Sequence, residues 1–129
     1  MFVFQQSTGI LSDVNGNVLD AHAYAGGNIP PNHNQALVNN PAVQNEVSGG
    51  PLPRNVYRIG PALNGTALGP MAMPLTPLDY SLMCGRSGFF IHADSIAHPG
   101  QASEGCIVAS TGARQTIDNS KDDLLVVIR

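Results

Sequence analysis

The most informative segment of the chain is residues 89–108, which read FFIHADSIAHPGQASEGCIV. An apolar run ends in His92, and Cys106 begins a second apolar run after a stretch of small and polar residues. Short apolar runs bounded by turn residues are typical of buried strands. The segment is therefore predicted to form a buried strand, then a loop, then a second element that starts at Cys106.

Short apolar segments separated by turn residues recur along the rest of the chain. Residues 2–6, continued by residues 9–11, are predicted to form the first strand. The dipeptide Asn15-Gly16 indicates a tight hairpin turn, because both positions tolerate positive φ, and the return strand is predicted at residues 18–24. The remaining predicted elements are strands at residues 56–59, 72–75, 89–92 and 124–128 and one short helix at residues 111–120.

Residues 26–53 are rich in Gly, Pro and Asn, which interrupt regular secondary structure. Connections this long inside a compact domain are usually functional or mobile. We expect a surface loop that lies over one end of the sheet as a mobile cover. Residues 1–129 are then predicted to form a single, mainly β domain: a curved sheet or β-sandwich with one or two short helices and this long loop.

The composition excludes several classes of protein. The net charge is -3 and only 12% of residues are charged, whereas nucleic-acid binders carry a basic face, so no nucleic-acid partner is expected. No apolar run reaches the roughly 18 residues that a membrane-spanning helix requires. The N-terminus lacks the basic and apolar regions of a signal peptide. We expect a protein made in the cytoplasm that relies on another component for export.

His92 and Cys106 are the two residues best suited to catalysis. A cysteine nucleophile needs a base within hydrogen-bond reach, and residues 93–105 are enough chain to fold back and bring the two together. From the residues alone, two other interpretations stay open. Both side chains could simply be packed in the core, or they could join Asp94 and His98 as zinc ligands, although this spacing matches no common zinc motif.

The other cysteine, Cys84, lies in the sequence Leu82-Met83-Cys84-Gly85. Two cysteines outside any CxxC pair are too few for a disulfide scaffold. We expect Cys84 to be an inert, partly buried small side chain.

Two motifs, IHAD at residues 91–94 and ASEGCIV at residues 102–108, resemble the active-site signature of L,D-transpeptidases of the YkuD type. In that signature a strand carrying His precedes a Ser-x-Gly-Cys turn. The segments GGPLPRNVYRI at residues 49–59 and GRSGFFIH at residues 85–92 are similar to the small L,D-transpeptidase-like effectors that type VI secretion systems deliver into rival bacteria. Glu104 replaces the His of housekeeping enzymes, and the loop is shorter; both departures fit the effectors better.

The resemblance implies an L,D-transpeptidase-like fold and a peptidoglycan-modifying cysteine enzyme. Cys106 would be the nucleophile, its thiolate paired with protonated His92, and the backbone carbonyl of Ala93 would orient the imidazole. The N–H groups of Gly105 and Cys106 would form the oxyanion hole. The bond attacked would join meso-diaminopimelate to D-Ala in tetrapeptide stems, giving L,D-carboxypeptidase or L,D-transpeptidase exchange activity. No cofactor and no metal are implied.

Four further residues are predicted to bind substrate: Arg86, Asp94, Ser103 and Glu104. The Arg86 guanidinium would bind stem carboxylates as a fork, and Ser103 would hydrogen-bond either the substrate or the catalytic turn. Asp94 is an alternative orienter of His92, or else a side chain that caps its own loop.

Three other residues are placed outside the site. His98 is expected to be exposed in its loop. Arg114 is expected on the helix surface or paired with Asp118 one turn further on, with a substrate contact as the alternative. Tyr57 is predicted to belong to the core.

As partners, the resemblance implies peptidoglycan stem peptides, a cognate immunity protein and a carrier component of the secretion system, with action in the periplasm of target bacteria. Two alternatives remain from other functional classes: a zinc-dependent wall hydrolase and a non-catalytic β module that binds cell wall or a partner.

Overall fold

The structure is a computed structural model that describes residues 1–129. Its strands are β1 Phe2–Gln5, β2 Leu11–Asp13, β3 Val18–Asp20, β4 Tyr24–Ala25, β5 Asn55–Ile59, β6 Met73–Pro77, β7 Phe90–His92, β8 Ile107–Val108 and β9 Leu124–Ile128. One α-helix, α1, spans Thr111–Asn119, and three short 3-10 helices span Gln35–Leu37, Pro41–Val43 and Tyr80–Leu82. The four strands predicted after residue 53 are confirmed to within two residues at each end.

All nine strands join one sheet in the order β3-β2-β1-β9-β5-β6-β7-β8-β4, which curls into a half-barrel. Most neighbouring strands are antiparallel, but β1 pairs with β9 and β7 pairs with β8 in parallel. The mainly β fold with one helix in a single small domain is therefore confirmed. No helix has the length and apolar character needed to cross a membrane.

One hydrophobic cluster forms the core. Along β5, Tyr57 and Ile59 are buried while Arg58 between them is exposed, the alternation expected of a strand with one covered face. Tyr57 is fully buried, as predicted, and its hydroxyl donates to the carbonyl of Pro53 at 2.6 Å. The other large, fully buried side chains include Phe4, Leu11, Leu52, Ile91, Ile107 and Leu125.

The N-terminal strands differ from the prediction in two ways. Residues 9–11 do not continue β1, because a turn at Gly9, with φ of +74°, reverses the chain so that β2 pairs antiparallel with β1. The predicted hairpin at Asn15-Gly16 does join β2 to β3. The return strand ends at Asp20, and Tyr24 belongs to β4, which pairs with β8 at the other end of the sheet.

The segment of residues 26–53 is attached to the body of the protein by many hydrogen bonds. Asn39 both donates to and accepts from the residues around β4, and Leu52 is fully buried. The carbonyl of Leu52 accepts from the buried side chain of Gln6 at 2.8 Å. Only Ile29 and Pro30 of this segment line the main cavity. The prediction of a cover over the site is therefore wrong for most of its length.

Helix α1 follows β8 and leads to β9. The Ser110 hydroxyl caps it by accepting from the N–H of Ala113 at 3.2 Å, and the N–H of Ser110 donates to the Asp20 carboxylate at 2.8 Å. Ile117 on this helix is buried in the core. The helix packs against β3, and its residues Thr111 and Arg114 line the main cavity.

Candidate active site

Parallel pairing of β7 and β8 brings His92 and Cys106 to one side of the sheet. The register places Ile91 opposite Ile107 and His92 opposite Val108. Cys106, one residue before β8, lies beside Phe90, whose N–H donates to the Cys106 thiol at 3.3 Å. Strand spacing and rise put the Cα atoms of His92 and Cys106 about 8 Å apart. No hydrogen bond joins the Cys106 thiol to the His92 imidazole.

Both side chains line one open cavity of about 1290 Å³. Phe90 and Val108, which alternate with core residues along β7 and β8, also face it. The charged and titratable residues in its wall are Asp20, His22, Tyr24, His92, Asp94, His98, Glu104, Cys106 and Arg114. The cavity therefore contains most of the predicted site residues.

The His92 imidazole is held in one orientation. Its Nδ1 lies 2.7 Å from the carbonyl oxygen of Ala93, which can only accept, so Nδ1 carries the proton and Nε2 has a free lone pair. This is the contact expected of Ala93. Burial lowers the pKa of His92 below its usual 6.5, and the nearby charge of Arg114 lowers it further. His92 is therefore a neutral base near pH 7.

The Cys106 thiol is also neutral. Burial raises its pKa above the usual 9.0, and this outweighs the hydrogen bond from the N–H of Phe90, which favours the thiolate. The carboxylate of Glu104 raises the same pKa. Desolvation disfavours both charges of the ion pair predicted between a Cys106 thiolate and a protonated His92, and that ion pair stays a prediction.

Ser103 holds the turn of residues 103–106 in place from the side that does not line the cavity, here called the back of the turn. Its buried hydroxyl accepts from the N–H groups of Gly26 at 2.8 Å and Gly105 at 3.1 Å and donates to the carbonyl of Cys106. A hydroxyl has no further capacity. Ser103 therefore shapes the turn and does not contact substrate, and the N–H of Gly105 is occupied instead of lining an oxyanion hole.

Arg86 does not reach the cavity. The guanidinium is buried and donates to the carbonyls of Gln44, Gly50, Pro51 and Glu104 at 2.8 to 3.3 Å. It also lies 5.0 Å from the centre of the Phe89 ring, within the range of a cation–π contact. The prediction that Arg86 binds substrate carboxylates is wrong, because the N–H groups on both terminal nitrogens are already bonded to backbone carbonyls.

Asp94 caps its own loop and does not orient His92. Its carboxylate accepts from the N–H groups of Ser95 at 2.8 Å and Gly100 at 3.2 Å and from the Tyr24 hydroxyl at 2.6 Å. The Tyr24 oxygen accepts in turn from the N–H of Ala102 at 3.0 Å. Tyr24 was missed by the sequence analysis, where its only signal was a hydroxyl at the end of an apolar strand.

Glu104 and His98 are exposed side chains in the cavity wall, which matches the prediction for His98. The four ligand-type residues considered for zinc do not converge. No three His, Cys, Asp or Glu side chains are arranged to hold a metal ion. This arrangement weighs against the zinc interpretation.

Arg114 is buried in the cavity wall, not on the helix surface, and does not pair with Asp118. Its Nε donates to the carbonyl of Ala109 at 3.1 Å and its Nη1 to the carbonyl of Pro70 at 2.6 Å. The predicted helix surface position is wrong, because the side chain folds back onto the Ala109 carbonyl just before α1 and reaches the Pro70 carbonyl of a distant segment.

Cys84 is exposed, which corrects the prediction of a partly buried side chain. It lies in a turn with φ of +57° after the 3-10 helix Tyr80–Leu82 and does not line the cavity.

Comparison with known proteins gives one match. No curated protein and no solved structure matches the chain. Residues 22–126 match the family model of the Tlde1 domain, and this range contains the cavity wall from His22 to Arg114. Effectors of this family are secreted into target cells, and the producing cell needs a cognate immunity protein. The chain belongs to the Tlde1 family of antibacterial type VI secretion effectors.

Proposed function

We propose that the protein is a cysteine enzyme that cleaves the bond between meso-diaminopimelate and D-Ala in peptidoglycan tetrapeptide stems. The observation that carries the proposal is the placement of Cys106 and His92 on adjacent parallel strands facing one cavity. The fixed Nδ1 of His92 adds to it, because Nε2 is left free to act as a base. The resemblance to L,D-transpeptidases supplies the substrate class.

In the first step Cys106 attacks from a neutral state. Nε2 of His92 takes the thiol proton as the Sγ atom forms a bond to the carbonyl carbon of diaminopimelate. General-base assistance is needed because burial raises the pKa of the Cys106 thiol and lowers that of His92. The C–N bond then breaks, the leaving amine of D-Ala takes the proton from His92, and a thioester remains on Cys106.

The oxyanion formed in this step needs a hydrogen-bond donor beside the thiol. The N–H of Gly105 is bonded to Ser103, whereas the N–H of Cys106 pairs with no carbonyl and lies next to its own Sγ atom. We assign the main oxyanion contact to the N–H of Cys106. A backbone donor fixed in a turn needs no reorganisation as the charge develops.

Water or a small amine then resolves the thioester, with His92 taking a proton from the attacking group. Hydrolysis gives a tripeptide stem, and attack by a free D-amino acid gives an exchanged tetrapeptide. The open cavity favours both over crosslinking, because the segment of residues 26–53 contributes only Ile29 and Pro30 to its wall and does not exclude water. Delivery by a secretion-system carrier and action in the periplasm belong to the same proposal.

Mass spectrometry of muropeptides after incubation with the purified protein tests the proposal. We expect tetrapeptide stems to become tripeptides, and free D-amino acids to be incorporated at the terminal position. Cys106→Ala should abolish both changes, and Cys84→Ala, the matched control, should retain them. Unchanged muropeptides with the wild-type protein would contradict an enzymatic role and favour a non-catalytic binding module.

Alkylation separates the cysteine mechanism from the zinc alternative. Cys84 is exposed and would react first, so the experiment uses the Cys84→Ser protein. We expect iodoacetamide to inactivate it slowly at pH 7 and faster at higher pH, because burial raises the pKa of Cys106 and only the thiolate reacts. Chelators should have no effect; inhibition by chelators with resistance to alkylation would overturn the cysteine mechanism.

A further inference from the structure

The cavity wall formed by α1 contains an arginine whose charge has no counter-ion. Arg114 is only 3% exposed, yet it lines the cavity. The ion pairs of the chain are Met1 with Asp122 and Arg58 with Asp123, and neither includes Arg114. Buried charges are normally paired, because desolvation of an unpaired ion is costly. The arrangement leaves a place for an anion supplied by a ligand.

The guanidinium also keeps two free donors. Of its five N–H groups, one on Nε binds the carbonyl of Ala109, one on Nη1 binds Pro70 and one on Nη2 binds the Thr111 hydroxyl at 3.2 Å. One N–H remains on each terminal nitrogen. A pair of terminal N–H groups is the arrangement that binds a carboxylate in two parallel hydrogen bonds.

The anchoring of Arg114 places it on the His92 side of the cavity. The N–H of Ala109 donates to the carbonyl of His92 at 3.0 Å, and the carbonyl of Ala109 accepts from Nε of Arg114. On the other side, the Glu104 carboxylate lies near the Cys106 thiol. The cavity therefore has a cation beside the base and an anion beside the nucleophile.

We infer that Arg114 binds the terminal carboxylate of the residue that the enzyme releases. This inference rests on the proposed function. His92 must protonate the leaving amine, so the released residue lies beside His92, and in an α-amino acid one carbon separates that amine from the carboxylate. Arg114 is thus a specificity residue that selects stems with one residue and a free carboxylate beyond the bond that is cleaved.

The kinetic test compares a tetrapeptide muropeptide that has a free terminal carboxylate with its C-terminal amide. We expect the wild-type protein to prefer the carboxylate by on the order of 100-fold in kcat/KM. Arg114→Met should lower this ratio to near one, Arg114→Lys should leave an intermediate ratio, and the exposed control Arg58→Met should keep the full preference. Because the ratio compares two substrates of one variant, partial unfolding does not change it.

A wild-type protein without this preference, or an Arg114→Met protein that retains it, would overturn the inference. A third substrate, amidated on the side-chain carboxylate of diaminopimelate, distinguishes the other source of a carboxylate. If Arg114→Met abolishes discrimination against that substrate instead, the assignment to the released residue is wrong.

A binding experiment separates this inference from the proposed function. The Cys106→Ala protein is titrated with N-acetyl-D-alanine and with its amide, and the His92 imidazole is followed by NMR. We expect the free acid to bind in the millimolar range and to raise the pKa of His92, and the amide and the Arg114→Met variant to show neither effect. Absence of binding overturns the inference even if stems are cleaved. Binding without any change in muropeptides overturns the proposed function and supports the carboxylate site.

Discussion

The two sides of the turn at residues 103–106 differ in how completely their polar groups are hydrogen-bonded. Behind the turn, Arg86 and Ser103 are buried, and the terminal N–H groups of Arg86 and the hydroxyl of Ser103 are all paired with backbone. In front of it, Cys106, His92 and Arg114 line the cavity, and Nε2 of His92 and one N–H on each terminal nitrogen of Arg114 have no hydrogen-bond partner. The chain thus fixes the turn with satisfied groups and presents unsatisfied ones to a ligand.

Mutations on the two sides of the turn should therefore affect different properties of the protein. Groups that are fully paired and buried contribute to the free energy of unfolding, because their removal leaves partners without hydrogen bonds. Groups with spare capacity contribute to binding and turnover and little to stability.

The largest effect is expected in front of the turn. His92→Ala should lower turnover of tetrapeptide stems by about 10²- to 10⁴-fold per folded molecule, because the general base is lost. His98→Ala, a matched control in the same cavity wall, should retain activity. The measurements are muropeptide kinetics and thermal unfolding; an essential His98 with a dispensable His92 would show that the base is misassigned.

Behind the turn, Arg86→Met should lower the free energy of unfolding by about 3 kcal/mol or more, because four carbonyls lose their donor. Arg58→Met is the control, since Arg58 is exposed and paired only with Asp123. Urea unfolding followed by circular dichroism measures both. Equal stability of the two variants would contradict the role given to the buried guanidinium.

Ser103→Ala should lower the free energy of unfolding by less than Arg86→Met does, by about 2 kcal/mol, because the N–H groups of Gly26 and Gly105 lose their acceptor. The folded fraction should keep most of its activity, because Ser103 holds the turn and does not contact substrate. A variant with native stability and no activity would instead indicate that the Ser103 hydroxyl contacts the substrate.

The pH dependence reports on the charge around His92. Its folded pKa is lowered below 6.5 by burial and by the charge of Arg114, which outweigh the opposite effects of the Ala93 hydrogen bond and the Asp94 carboxylate. The acid limb of kcat/KM should therefore lie below pH 6.5, because only neutral His92 accepts a proton. An acid limb above pH 6.5 would contradict the neutral resting state.

The same shift affects stability. Between the lowered folded pKa and the unfolded pKa of 6.5, the unfolded chain binds more protons, so the free energy of unfolding falls as the pH falls through this window. His92→Gln should reduce that loss, as measured by urea unfolding at pH values on either side of the window.

The smallest effect is expected at the exposed cysteine. Cys84→Ser should change stability by less than about 0.5 kcal/mol and leave turnover unchanged, because the side chain lies outside both the core and the cavity. Urea unfolding and muropeptide kinetics measure the two quantities. A large loss in either would point to a contact of Cys84 that the structure does not contain.

Sequence patterns predicted the local elements well and the long-range contacts poorly. β7, β9 and α1 could be predicted because apolar runs and a capping Ser act within a few residues. The two buried arginines could not, because most carbonyls that hold Arg86, and the Pro70 carbonyl that holds Arg114, are distant in the chain. The same holds for the division of residues 2–24 into four strands, which depends on pairing with β8 and β9.

The position of β9 has a consequence for the order of folding. It lies between β1 and β5, so before residues 124–128 are in place the sheet exists only as two unconnected parts. One part holds the N-terminal hairpins, and the other holds β7 and β8 with the candidate catalytic residues. Pairing between the ends of a chain is slow to nucleate, because a long loop must close first. A chain that has not yet docked β9 therefore keeps two open sheet edges, and a toxin of this topology becomes a complete domain only at its last strand.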